Sequence, residues 1–461
     1  MRASNLQQLS RVSGSRGRAL LIACLALAGL VNHGVAQESA STLLTLDNAI
    51  QIAIENNRSL KVAALEVDKS KWQVAELKTK RLPAFSGTVL GSQLLNEVSF
   101  DFPAGAFGTF PSTGPIPSTD TKITTPRRPI AYVVSQATQP LSQLYKIHLG
   151  VRAQELNAKL TGEKARAERQ NLVRDVKQAY YAVLQSESEL EAADANVKQY
   201  QELDRVVLQR VSQEAALKSD SLDVKAKFAN EQFKLAQLHN TLDSRKEYLN
   251  NLLGRDIRTE FHTEQVPMAA FEEIDLKVAQ GRAISLRPEI KEAEINVRQA
   301  EYDRRIARAD YIPEVGLALN YVSNFNVDVL PRNMTSVGFE MKWEPWDWGR
   351  RKDVVNQKKI TETQAQAKLD ETRSRVLMDV NSRFRKLAES RMLIGVAHAE
   401  REAAQQRLQE VTNKYGQQTV LLSDVLKQQA AAAGASDDYQ QALLGFWSAK
   451  SEFEKSLGED Q

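Results

Sequence analysis

The side chains most often used for chemistry are scattered here. The five histidines, His33, His148, His239, His262 and His398, stand alone in sequence, and no HExxH, P-loop, dinucleotide-binding glycine pattern or GxSxG occurs. No cofactor or metal motif is present, and the reading is of a protein that is not an enzyme. The densest functional chemistry is interfacial. Val337 to Lys352 reads VGFEMKWEPWDWGRRK and holds three of the five tryptophans, Trp343, Trp346 and Trp348. Val337, Phe339, Met341 and Trp343 alternate with Gly338, Glu340, Lys342 and Glu344, as in a strand with one apolar face. Such a face ending in tryptophans suits a strand crossing a bilayer, with the aromatic rings as a girdle at the membrane–water boundary. Pro345 would end the ladder and Asp347 would cap the next helix, with Arg350, Arg351 and Lys352 on its solvated face.

The elements that position this stretch occur twice. Leu82-Pro83 set against Ile312-Pro313 brings Leu46 onto Leu276, Ala49 onto Ala279 and Val67 onto Val297, an internal repeat. Each half begins with a helix of about 35 residues, followed by a strand such as Val315, Leu317, Leu319 and Tyr321 with Gly316, Ala318 and Asn320 on its other face. Pro140 and Pro345 mark the ends of the second strands, and the matching segments RDVKQAYY (from Arg174) and MDVNSRFR (from Met378) follow. Six prolines between Pro103 and Pro129 mark a long surface loop in the first half, from Asn96. No proline lies between Pro140 and Pro267 or after Pro345, so very long helices are permitted. Seven-residue spacing (Val176, Val183, Leu190, Val197; Phe228, Leu235, Leu242, Leu249; Ala432, Tyr439, Phe446, Phe453) predicts that they pair along their length.

Residues 1–36 read as a signal peptide, with Arg2, Arg11, Arg16 and Arg18 ahead of an apolar segment from Ala19 to Val31. The sole cysteine, Cys24, lies within it; LIAC resembles a lipoprotein box, but the apolar run continues beyond it. Removing the four arginines takes the formal charge from +3 to −1, which gives no support to nucleic-acid binding. The composition, 42% hydrophobic, 26% charged and only 7% aromatic, is that of long helices. Residues 37–266 and 267–461 form the two repeats, with strand pairs around 84–139 and 314–344. Four strands cannot close a barrel, and open edges are excluded from lipid, so spanning strands demand several copies of the chain.

The duplicated layout, PWDWGRRKDVV (Pro345 to Val355) and the two turns RVSQEAALKSDSLDVKAKF (from Arg210) and KYGQQTVLLSDVLKQQ (from Lys414) together resemble the TolC-like outer membrane efflux proteins. The resemblance implies a mainly α fold with β: a homotrimer whose twelve strands make one transmembrane barrel and whose long coiled-coil helices make a hollow periplasmic cylinder. It further implies a passive exit duct in the outer membrane lipid, working with a periplasmic adaptor and an inner-membrane pump in efflux or type I secretion. By position it makes Asp223 and Asp424 candidates for an acidic ring at the periplasmic tip, which would favour cations, and Tyr415 a candidate gate contact. Val420 stands where well-known members have an arginine that ties the gate shut, Lys427 where a second aspartate is expected, and Gln418 and Ala215 also depart from the pattern. A periplasmic adaptor or structural coiled coil is the alternative reading; an adaptor should carry one hairpin rather than two.

Overall fold

The computed structural model describes residues 42–264, 275–327, 330–417 and 419–459. The predicted signal peptide, Cys24, Pro267 and Gln418 lie outside them. The chain divides into a small unit, of which Thr42, Leu43 and Glu260–His262 are described, and a large unit, Leu44–Thr259 with Thr263–Gln461. Strands β1 (Thr42–Leu44) and β8 (Phe261–Thr263) form a two-stranded sheet. Everything else below belongs to the large unit.

The predicted 35-residue helix of each half is broken in two. The first half has α1 (Leu46–Asn56) and α2 (Arg58–Thr79), and the second has α5 (Leu276–Leu286) and α6 (Pro288–Ala309). The breaks fall at Asn57 and Arg287, both extended, with ψ of 132° and 126°. Asn57 caps its helix, Oδ1 accepting from the N–H groups of Ser59 and Leu60. Arg287 precedes a proline, which disfavours helical backbone there. Two long hairpins follow: α3 (Gln143–Ser212) with α4 (Lys218–Leu253), and α7 (Arg350–Gly416) with α8 (Leu422–Leu457). The 70 residues of α3 make it about 105 Å long at ~1.5 Å per residue. The heptad positions read from sequence are buried or half-buried: Val176, Val183, Leu249 and Phe453 are almost wholly enclosed.

Between these helices the chain makes one four-stranded sheet. Its strands β2 (Ala84–Gln93), β7 (Pro129–Pro140), β9 (Glu314–Phe325) and β10 (Asn333–Lys342) lie in the order β10-β9-β7-β2, antiparallel throughout. The predicted strand pairs are therefore joined to each other through β7 and β9. The long first-half loop has structure of its own. Strands β3 (Val98–Phe102) and β6 (Thr121–Thr125) pair beyond the β2–β7 hairpin, and short β4 (Thr109–Phe110) and β5 (Gly114–Pro115) pair at its tip.

Two glycines fasten the hairpins to the breaks. Gly254 and Gly458 follow α4 and α8 in left-handed conformation, with φ of 70° and 75°. A Cβ on Gly254 would stand 2.4 Å from the Asn56 carbonyl oxygen, and one on Gly458 would stand 2.8 Å from the Arg287 nitrogen. The same device thus recurs at matching points of both halves. In the second half it is reinforced by polar contacts: Arg166 and Gln170 each donate to the Gly458 carbonyl at 3.0 Å. The Arg287 guanidinium reaches Asp379 at 2.8 Å and Glu289 at 2.8 Å. Burial alone would push the Asp379 and Glu289 carboxyls up; hydrogen bonds from Arg287, joined by Arg383 at Asp379, outweigh it and hold both below their ordinary values.

Gly254→Ala and Gly458→Ala should each destabilise the fold by about 2–4 kcal/mol, through left-handed backbone strain plus the clash. Gly395→Ala, with open space around it on α7, should stabilise by about 0.5–1 kcal/mol; thermal unfolding followed by circular dichroism measures all three. Because the Asp379 and Glu289 carboxyls are depressed in the folded state, their stabilisation is present above the ordinary carboxylate range. It is lost as pH falls through the folded values. Arg287→Met should lower the melting temperature at neutral pH and flatten its decline on acidification.

Candidate functional site

The register assigns a face to every strand residue. Residues opposite one another share a face: Phe339 faces Leu317, Val337 faces Leu319 and Met341 faces Val315. Leu319 faces Ala137, Tyr321 faces Ser135, Phe85 faces Ala137 and Val89 faces Val133. One face of all four strands therefore carries Phe85, Val89, Val133, Leu317, Leu319, Tyr321, Val337, Phe339 and Met341. The other carries Ser86, Thr88, Gln136, Thr138, Asn320, Asn324, Ser336, Glu340 and Lys342, together with an apolar group of Leu90, Tyr132, Val134, Val322 and Met334. The outer strands β2 and β10 are exposed on both faces along their whole length. The alternation read in β10 and β9 weakens across the sheet, since Leu90 of β2 and Tyr132 and Val134 of β7 lie on the second face.

At the foot of the sheet the strands pass directly into helices. Ser142, between β7 and α3, donates its hydroxyl to the Pro313 carbonyl at 2.6 Å and accepts from the Val315 N–H at 2.7 Å, which ties this exit to the entry of β9. At the other exit β10 stops at Lys342, so Trp343 lies one residue beyond the strand rather than within it. Asp347 is not the residue at the helix boundary, which is Gly349 at φ 89°. Its carboxylate still caps the helix from two residues earlier, accepting from the N–H groups of Arg351 and Gly349 at 3.0 Å each. Those bonds, the one from Arg351 foremost, hold the Asp347 carboxyl below its ordinary value. Arg350 and Arg351 do not simply face water: both converge on the Glu344 carboxylate, at 2.6 and 3.1 Å. Trp348 takes a left-handed φ of 56°, a strain of roughly 1–2 kcal/mol for a bulky residue. The turn keeps it 90% exposed, edge-on to Trp346 at 5.8 Å. All three tryptophans are exposed.

The other candidate residues lie at the far ends of the hairpins. Val207 of α3, Val224 of α4 and Leu422 of α8 form a small buried cluster, with Leu203, Val211, Tyr415 and Leu426 packed on it, so the two hairpin tips meet. The Arg210 guanidinium lies 4.5 Å from the centre of the Tyr415 ring, a cation–π contact across the hairpins that sequence spacing could not reveal. The two candidate aspartates are not at matching positions. Asp424 is the third residue of α8, and its carboxylate accepts from the Leu421 N–H at 3.3 Å. The residue doing the same in α4 is Asp220, which accepts from the Leu217 N–H at 3.3 Å. Asp223 stands nearly one turn further along, exposed, and Lys427 is its counterpart in α8. The repeat offset that aligns Arg174 with Met378 also carries Asp220 onto Asp424, so this pairing was available from the sequence.

Among the described residues no group of His, Asp and Glu could hold a metal ion, and no helix is long and apolar enough to cross a membrane. A sheet that gathers its largest apolar side chains on one face and its charged residues on the other, running without a linker into paired helices of this length, defines a class of sheet proteins with long helical extensions. The chain belongs to the outer membrane efflux protein family, whose model matches residues 49–255 and 280–459, and it is an outer-membrane protein. No curated protein matches the sequence significantly. Among solved structures it is similar to CusC (TM-score 0.75, 16% identity, covering 94% of this chain and 96% of that one). It is also similar to the CmeC outer membrane channel of Campylobacter jejuni (TM-score 0.74, 15% identity, 90% and 85%). The open state of the MtrE outer membrane channel of Neisseria gonorrhoeae matches with a TM-score of 0.69 at 16% identity, covering 90% and 88%. At such identities the likeness establishes the fold.

Asp424→Ala should speed amide hydrogen exchange in the first turn of α8, by loss of a cap contributing about 1 kcal/mol, whereas Asp223→Ala should leave the start of α4 unchanged. Exchange measured by mass spectrometry on the two variants separates the capping role of Asp424 from any role in conduction.

Proposed function

We propose that the protein is the outer-membrane exit duct of an efflux or secretion assembly, passively conducting substrates delivered by an inner-membrane pump through a periplasmic adaptor. The observation that carries this is the sheet: one face carries Phe85, Val89, Leu317, Leu319, Val337, Phe339 and Met341, every charged residue of the four strands lies on the other, and both edge strands are fully exposed. In lipid the edges β2 and β10 must be paired. Pairing β10 of one copy with β2 of the next keeps the antiparallel alternation and closes a barrel whose lumen is lined by Ser86, Thr88, Gln136, Asn320, Ser336 and Glu340. Three copies give twelve strands, the number that the family resemblance implies. The girdle of Trp343, Trp346 and Trp348 then marks the inner membrane boundary, and α3, α4, α7 and α8 extend the duct into the periplasm. Two hairpins joined to such a sheet fit a duct better than the adaptor or scaffold reading.

The duct narrows at the hairpin tips in this reading. Asp223 and Asp424 are the acidic groups proposed to line it, and Tyr415, held by Arg210, is the proposed gate contact. Single-channel conductance in planar bilayers tests both levels. Small cation-selective currents are expected from the wild type, with the reversal potential under a salt gradient shifting toward zero in Asp223→Ala/Asp424→Ala. Unchanged selectivity would remove the acidic ring and keep the duct; folded protein that never conducts would overturn the duct.

A further inference from the structure

The second face of the sheet is graded along its strands. The register runs in rows across β10, β9, β7 and β2. At the foot, beside the helices, Glu314 stands opposite Lys342, and Glu340 belongs to the next row of this face. A row of small residues follows, and then Ser86, Gln136, Asn320 and Ser336, all hydroxyls and amides. Above them one row joins Thr88, Val134, Val322 and Met334, and in the row beyond it Leu90 stands opposite Tyr132. Charge thus gives way to neutral polar groups and then to hydrocarbon, in order, from the helix end of the strands to the loop end.

Leu90, Met334 and Val134 are 57%, 39% and 37% exposed. Single exposed apolar residues are ordinary, whereas adjacent ones gathered on a face mark a binding surface. Burial in a barrel core does not account for them. About eight strands enclose an interior that side chains just fill, and a barrel of twelve keeps an open lumen. Twelve strands about 4.8 Å apart and tilted by about 40° give a wall roughly 24 Å across. Side chains on opposite walls of such a lumen do not meet, so the band is a wet wall surface and not a plug.

We propose that Leu90, Tyr132, Val134, Val322 and Met334 form a contact site in the upper lumen wall for organic cations with an aromatic or apolar body. The duct itself would then discriminate among cargoes, independently of the pump. The occupant follows from the chemistry of the wall. Branched side chains, a phenol ring and a thioether offer dispersion and aromatic contacts that a hydrated inorganic ion cannot use. Glu314 and Lys342 offset one another, which leaves Glu340 as the uncompensated charge of the four strands. It concentrates cations in the lumen, and the band retains those that carry an apolar body.

This inference rests on the duct reading, and its test separates the two. Single-channel conductance of the purified protein in planar bilayers is measured with tetraphenylphosphonium or tetramethylammonium, added as chlorides at equal concentration. The size of each conductance step is read, so leakage of the lipophilic cation through lipid does not enter. Tetraphenylphosphonium should reduce the step saturably, and tetramethylammonium should leave it unchanged. In Leu90→Gln/Val134→Thr/Val322→Thr/Met334→Gln the concentration giving half the reduction should rise about tenfold, with the conductance in salt alone retained. Leu90→Gln alone, on a strand exposed along its whole length, should shift it in the same direction by less, and provides the reading if the fourfold variant does not insert. Equal effects of the two cations, or an effect that survives the substitutions, overturn the contact site and leave the duct. So does no effect of either cation, the result expected if the loop from Asn96 to Pro129 already covers the band. Folded protein that never conducts overturns both.

Discussion

Backbone amides and carbonyls at the edges of a sheet tolerate water but not hydrocarbon, and most of this molecule follows from that constraint. Four strands with an apolar face have two such edges, β2 and β10, and among the described residues no helix or loop covers them along their length. In the proposed duct, the exposure of both outer strands and of the three tryptophans answers one requirement, that the sheet be completed by copies of itself inside a bilayer. The helices inherit the geometry. They begin within a few residues of the strand ends, so the spacing and tilt of the strands dictate where each long hairpin starts.

The starting points are fixed by short-range polar contacts rather than by a large core. Ser142 ties one strand exit to the neighbouring strand entry, while Asp347, Arg350, Arg351 and Glu344 lock the other. Further along, the left-handed glycines after α4 and α8 press against the breaks in the shorter helices. Tyr180, fully buried, places its hydroxyl 2.8 Å from both the Leu44 and the Glu264 carbonyl, donating to one at a time. Burial pushes its phenol up to about 12, so it remains a donor at any physiological pH. Rigid fastenings at intervals suit helices of 67 and 70 residues, whose heptad seams alone would allow axial slippage.

Much of this was legible in the sequence because prolines and alternation are local signals. Pro83, Pro140, Pro313 and Pro345 bracket the strands closely, and proline-free stretches mark the long helices. The breaks at Asn57 and Arg287 were harder: an asparagine cap and an Arg-Pro step are weak against the surrounding helical periodicity, and what makes them permanent is the distant glycine packed on each. The loop from Asn96 to Pro129 reads as turns because its prolines hide short strands that pair only with each other. At the tips, an Asp-Val dipeptide occurs at both Asp223 and Asp424, whereas the repeat offset and the capping geometry pair Asp220 with Asp424. The contact of Arg210 with Tyr415 joins residues of separate hairpins and has no sequence signature.

The junction of the two halves has a consequence for how the chain reaches its folded state. Each long hairpin closes through contacts between neighbouring stretches of chain, whereas the central β7–β9 ladder pairs residues as distant as Ala131 and Phe325, and just beyond it the Asn326 side chain donates to the Pro129 carbonyl, 197 positions away. Closing so large a loop carries an entropic cost that local hairpins avoid, so helical pairing comes early and the ladder late. Until the second half emerges, β2 and β7 form a lone hairpin, greasy on one side and unpaired at both margins, which is the profile of an aggregation-prone intermediate. A protein of this design needs an escort through the aqueous compartment, and the time that escort must cover is the time taken to synthesise and deliver the second repeat.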